Sequence, residues 1–132
     1  MAPRSPEGLT PLELEIMKVL WTAGPAGVQP VREALAPRRK LAYTTVQTML
    51  NVLWRKGRVR RTLKDRAYVY YPVLTRRRAL RHAVGDMVER LFGGSAESLV
   101  VSLVESRHIT PEALARLTRA LERAEKDDDG DR

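Results

Sequence analysis

Apolar residues recur at helical spacing in six stretches of the chain, and in one place the spacing drops to every second residue. The first stretch places Leu12, Ile16, Val19 and Leu20 on one stripe, widened by Leu14, Met17 and Trp21, which predicts a helix with one buried face. Its start is marked by Thr10 as N-cap, Pro11 in the first turn and Glu13 as the second half of a capping box. Gly24-Pro25 ends it near Ala23, and Glu13, Glu15 and Lys18 are expected to face water. A short second helix is expected over about residues 30–36, with Val31 and Leu35 inward and Pro37 as its stop.

The third stretch reads LAYTTVQTMLNVLWRKG and begins at Leu41. Val46, Met49, Leu50, Leu53 and Trp54 form its apolar face; Arg55-Lys56 occupy the last turn and Gly57 lies beyond the end. The period then becomes two in RVRRTL (residues 58–63) and AYVYYPV (residues 67–73), separated by Lys64-Asp65-Arg66, which predicts a β-hairpin. Val59 and either Tyr68 or Val69 are expected inward, Arg58, Arg60 and Arg61 outward, with Pro72 at an edge.

Helical spacing returns after a Thr75 cap, with Leu80, Ala83, Val84, Met87, Val88, Leu91 and Phe92 on one stripe that ends at Gly93-Gly94. A fifth helix starts near Ser95 and is apolar almost all round, through Leu99, Val100, Val101, Leu103 and Val104. Thr110-Pro111-Glu112 opens a sixth, with Leu114, Leu117 and Leu121 on one face. The chain is therefore expected to be mainly α with a small β-hairpin. Residues 1–8 are expected to be disordered, 9–74 a winged helix-turn-helix, 75–126 a three-helix dimerisation region, and 127–132 an acidic disordered tail.

Composition sharpens this picture in two ways. Cysteine is absent, which excludes disulfides, thiolate metal sites and cysteine catalysis. The net charge is +8, but it is unevenly spread: ten Lys and Arg lie between residues 38 and 66 against Asp65 alone, while DDDGDR closes the chain. A local positive region is the footprint expected of a nucleic-acid-binding surface. No apolar run approaches the roughly 18 residues of a membrane span, and no signal core precedes Thr10, so a cytoplasmic protein is expected.

The polar face of the third helix carries Thr44, Thr45, Gln47, Thr48 and Asn51 in place of the usual Glu/Lys mixture. Hydroxyls and amides of this length suit base edges in a major groove, and carboxylates there would be repelled by phosphate. Arg38, Arg39 and Lys40 before the helix, Arg55 at its end, and Arg60, Arg61, Lys64 and Arg66 on the hairpin are candidate phosphate contacts. Tyr43 is expected either to touch a phosphate or to pack its ring on the second helix. For each of these groups the plainer alternative is a solvated face, or an edge hairpin kept soluble by its charges. Trp21 and Trp54 stand at core spacing. Arg76-Arg77-Arg78 suit a solvated first turn. His82 and His108 stand apart from other ligands, and no catalytic constellation or phosphate-binding glycine loop is present. No enzyme activity, metal or cofactor is expected.

Three helices with generous apolar faces are marginal alone, and a second copy would cover them. Leu91, Phe92, Leu99, Val100, Val101, Leu103, Val104, Leu114, Leu117 and Leu121 are the candidate dimer contacts. A two-fold dimer would set two reading helices about one DNA turn, ~34 Å, apart. The competing functional class is a protein-interaction adaptor that uses the winged helix only as a scaffold. RNA binding is disfavoured because the third helix lacks aromatic stacking groups on its polar face.

LTPLELEIMKVLW, AYTTVQTMLNVLWRKG, RAYVYYP and RLFGGSAESLVVSLVE together resemble the BlaI/MecI/CopY family of penicillinase-type transcriptional repressors, over residues 9–125. The resemblance implies a homodimeric winged-helix repressor on a two-fold symmetric operator with TACA-like half-sites, and a membrane sensor protease as a partner in the antibiotic response. This chain departs from that pattern in three places. It lacks the cysteine motif of the copper-responsive branch. The bond aligned with the cleavage site of antibiotic-responsive members is Ser102-Leu103, without the preceding Asn. Val52 stands where many relatives carry Arg.

Overall fold

Thr10 closes the N-terminus of the first helix as its spacing predicts: its hydroxyl accepts from Glu13 N at 3.2 Å, and Glu13 Oε1 accepts from Thr10 N at 2.8 Å. The computed structural model describes residues 9–130, with side chains through 128, so the segment 1–8 expected to be disordered lies outside the described residues. In chain order the elements are α1 (Pro11–Ala23), α2 (Val28–Leu35), α3 (Tyr43–Arg55), β1 (Val59–Lys64), β2 (Ala67–Pro72), α4 (Arg76–Leu91), α5 (Ala96–Glu105) and α6 (Pro111–Gly130). The fold is mainly helical with one two-stranded antiparallel sheet.

The contacts divide the chain into two units, one ending at Asp86 and one beginning at Met87, within α4. The first unit holds the core. Ile16, Met17 and Leu20 of α1, Val31 and Leu35 of α2, and Val46, Leu50 and Leu53 of α3 are buried together with Leu9, Val28, Val59, Tyr70 and Leu74. Trp21 packs against this cluster and donates from Nε1 to the Leu74 carbonyl at 2.8 Å, tying α1 to the chain that leaves the hairpin.

Glu13 does not face water. It is fully buried, and both its oxygens accept from Lys56 Nζ at 3.0 Å. A carboxylate is kept in an apolar interior only where charge and hydrogen bonds replace its hydration, and Lys56, at the C-cap of α3, supplies the charge. Helix α2 begins two residues before its expected start, because Gly27 serves as N-cap and Val28 turns into the core. Pro30 then sits in the first turn, where its missing N–H leaves no helical bond unmade.

The hairpin pairs Val59 with Pro72, Arg61 with Tyr70 and Lys64 with Ala67. Only Asp65 and Arg66 connect the strands, both with positive φ (51° and 68°), the backbone a type I′ turn demands. The inward residue of β2 is Tyr70, 1% exposed, where Tyr68 or Val69 was expected. Alternation on β1 puts Val59 inward, and Tyr70 faces that same side two pairs along the ladder. An isolated bridge from Ala26 to Tyr70 extends the sheet toward the α1–α2 connection.

The later helices start at hydroxyl caps as their sequences require. Thr75 Oγ1 accepts from Arg78 N, Ser95 Oγ from Ser98 N and Thr110 Oγ1 from Ala113 N. Gly93 and Gly94 take positive φ to end α4. Helix α6 continues to Gly130, through residues expected to form a disordered tail. No Pro or Gly interrupts it before Gly130, and each added residue needs only one further backbone bond.

Candidate nucleic-acid interface

Helix α3 is held by Val46, Leu50 and Leu53, all fully buried, and by a bond the sequence did not reveal. Arg32 Nε on α2 donates to the Leu41 carbonyl at 2.9 Å and fixes the turn that leads into α3. The N-cap of α3 is Ala42, which provides no side-chain acceptor. The first N–H groups of the helix therefore point outward with their partial positive charge uncompensated by a cap.

The face away from the core carries Thr44, Thr45, Gln47 and Thr48, all exposed, and Arg55 at the C-terminal end. No acidic residue lies on α3. Tyr43 is 42% exposed at the start of the helix. Arg38, Arg39 and Lys40 are exposed in the turn before it, where Arg38 N and Arg39 N both donate to the Leu35 carbonyl. Val52 is half-buried. On the hairpin Arg60, Lys64 and Arg66 are exposed, and the Arg60 guanidinium lies 4.3 Å from the Tyr71 ring centre.

Three residues are occupied differently from their sequence reading. Trp54 is 41% exposed rather than in the core. The Arg61 guanidinium lies 3.6 Å from its ring centre and 4.1 Å from that of Tyr68. Arg61 is half-buried, not projecting, and its Nη1 donates to Asn51 Oδ1 at 2.8 Å. Asn51 Oδ1 also accepts from the Tyr70 hydroxyl at 2.7 Å. Burial pushes the Tyr70 hydroxyl above its ordinary pKa, and the bond and charge of Arg61 oppose that rise. The strand register held the clue: Arg61 and Tyr70 are directly opposite, and Tyr68 is two pairs further along the ladder, on the same face.

The second unit places its candidate contacts at the surface. Leu91 is 75% exposed, Leu121 67%, Val101 53% and Leu117 52%. Val100 is exposed, and Phe92, Leu99, Ser102, Leu103, Val104 and Leu114 are half-buried. Neither α4 nor α5 contains a buried residue. Among the described residues no group of three side chains is placed to hold a metal ion, and no helix is long and apolar enough to cross a membrane.

The penicillinase repressor family matches residues 9–123, from the buried Leu9 to the middle of α6. This chain belongs to that family. Its relatives include the transcriptional regulator BlaI of Mycobacterium tuberculosis, 40% identical over 99 residues that make up 71% of this chain and 70% of that protein. The penicillinase repressor of Bacillus licheniformis is 27% identical over 110 residues, covering 83% of this chain and 86% of that protein. Among solved structures, the monomeric form of Bacillus licheniformis BlaI in complex with the blaP half-operator is 30% identical, with a TM-score of 0.43 over 55% of this chain and 83% of that one. The family is one of transcriptional regulators and not of enzymes, and this penicillinase-repressor-family chain is a regulator of that kind.

Proposed function

We propose that this chain is a homodimeric, sequence-specific DNA-binding repressor, with α3 in the major groove of a two-fold symmetric operator and the hairpin as a wing along the backbone. The observation that carries the proposal is the outward face of α3. Thr44, Thr45, Gln47 and Thr48 stand exposed, without a carboxylate, on a helix whose N-terminus has no side-chain cap. Hydroxyls and amides there meet base edges, and thymine methyls pack on threonine methyls. The free N–H groups at the helix start and Tyr43 meet phosphate. Arg38, Arg39, Lys40, Arg55, Arg60, Lys64 and Arg66 neutralise further phosphates and release counterions.

The second copy is argued from α4 to α6. Leu91, Val101, Leu117 and Leu121 lie in water in the single chain, which is costly for apolar area of this extent. Pairing them would link two reading helices, so that the second half-site is met at high effective concentration. Such a protein works in the cytoplasm, where its operator is. Relief of repression by a membrane sensor protease would act at Ser102-Leu103, which lies half-buried inside α5.

Selection from a random duplex pool, followed by footprinting, tests the proposal. A palindromic site is expected, with half-sites about one helical turn apart. Changing Thr44, Gln47 and Thr48 together to alanine should abolish the preference while the chain stays folded. Equal binding of random and selected duplexes at ~150 mM salt refutes sequence-specific reading. Full function after the triple change points instead to an adaptor. An intact chain recovered from induced cells rules out cleavage at Ser102-Leu103.

A further inference from the structure

The geometry points to Arg61 as a positioning residue: with Asn51, Trp54 and Tyr68 it fixes the wing on the reading helix, and it thereby excludes Asn51 from pairing with adenine. The inference rests on the DNA-binding reading above and deepens it at two residues. The sequence places both among the candidate DNA contacts, and in the structure their side chains bond to each other.

Arginine carries donors only, so the Asn51 atom 2.8 Å from Arg61 Nη1 must be the carbonyl oxygen. That oxygen also takes the Tyr70 hydroxyl at 2.7 Å. A carbonyl oxygen has two lone pairs, and both are now used. Bidentate recognition of adenine needs the same oxygen free to accept from the base amino group. Asn51 therefore retains only its NH2 group. No side-chain nitrogen or oxygen among the described residues is buried without a partner, so that group reaches the surface.

Arg61 is held by two aromatic rings as well as by its hydrogen bond to Asn51. Its guanidinium centre lies 3.6 Å from the Trp54 ring centre and 4.1 Å from that of Tyr68. Asn51 and Trp54 belong to α3, Arg61 to β1, and Tyr68 and Tyr70 to β2. One cation thus joins the reading helix to both strands of the wing. The buried Val59 and Tyr70 seat the base of this two-stranded ribbon, and the cluster extends that hold toward Lys64 and Arg66 further out. Lysine, a compact and strongly hydrated point charge, cannot replace a delocalised guanidinium that lies over two rings while it donates to Asn51.

The test uses the full chain with Arg61→Lys, Arg61→Met and Asn51→Asp, and a duplex recovered from a random pool by the wild type. Circular dichroism checks that each variant is folded. Both Arg61 variants should bind the duplex about tenfold more weakly, although lysine keeps the charge. Both should also shift Trp54 emission and raise its quenching by acrylamide in the absence of DNA. Asn51→Asp keeps two acceptor positions for Arg61 and Tyr70, so its emission should match the wild type. Its own selection should recover the same adenines as the wild type.

Wild-type affinity in Arg61→Lys overturns the inference, because charge alone would then suffice. Unchanged affinity or unchanged emission in both Arg61 variants overturns it as well. Loss of an adenine preference in Asn51→Asp overturns the exclusion of Asn51 from adenine reading. If the wild type recovers no preferred duplex, the DNA reading fails, and the emission measurements still decide the cluster.

Discussion

Replacing Lys56 by methionine should destabilise this chain more than replacing its partner Glu13 by glutamine. Glu13 is fully buried, whereas the Lys56 side chain is 37% exposed. Lys56→Met leaves a carboxylate in the core with the Thr10 N–H as its remaining bond, at 2.8 Å. Breaking a fully buried pair in this way costs roughly 3–5 kcal/mol, and water reaching the lysine end brings the figure down to about 2 kcal/mol. Glu13→Gln instead leaves an ammonium that can turn to solvent. Glutamine keeps an oxygen for Thr10 N, so the cost falls to about 1 kcal/mol. The double variant removes the stranded charge and should be no worse than Glu13→Gln alone. Urea unfolding followed by circular dichroism measures all three, with equal m-values as the check on two-state behaviour. Lys56→Met within about 0.5 kcal/mol of the wild type, the ordinary range for surface changes, would refute the reasoning. The same variant separates stability from DNA contact. Lys56 is engaged by Glu13, so the salt dependence of operator binding should not change. Arg55→Met should lower that slope by about one unit for each phosphate that Arg55 neutralises, with little effect on unfolding.

Leu99→Asp and Val101→Asp should each give monomers in sedimentation, since an unpaired charge is costly in an apolar interface; a persistent dimer in both would move the interface off α5. The Tyr70 hydroxyl has its pKa raised by burial, so the folded chain holds that proton more tightly than the unfolded one. The stability linked to it is complete below the ordinary tyrosine value of about 10 and is lost as pH rises through the raised folded value. Absorbance titration should show one of the four tyrosines ionising last, and Tyr70→Phe should remove that step. Thr10→Ala should cost about 1 kcal/mol through loss of the N-cap, read as a lower urea midpoint.

Most helix ends were legible in the sequence because capping is local. Thr10 and Glu13, Gly57, Thr75, Ser95 and Thr110 act on backbone groups a few residues away, and the structure uses each of them as its position implies. The buried stripe of α3 and the hairpin followed from their periods of 3.6 and two. Helix α2 begins two residues before the start its sequence signals, because Gly27 is an N-cap without a side chain.

What the sequence determined alone was therefore the elements, their order, and a polar helix face without carboxylates beside a basic hairpin. Only the tertiary structure decided what Glu13, Asn51 and Trp54 do. Glu13 is buried because Lys56, 43 residues on, brings a charge to it. Asn51 turns its oxygen inward because Arg61 and Tyr70 arrive from 10 and 19 residues away. Trp54, 41% exposed, has the guanidinium of Arg61 over its ring in place of a core contact. Periodicity reports which side of an element is apolar. It carries no record of a distant cation or hydroxyl that makes a polar group welcome in the interior, since that partner is chosen by the packing of other elements.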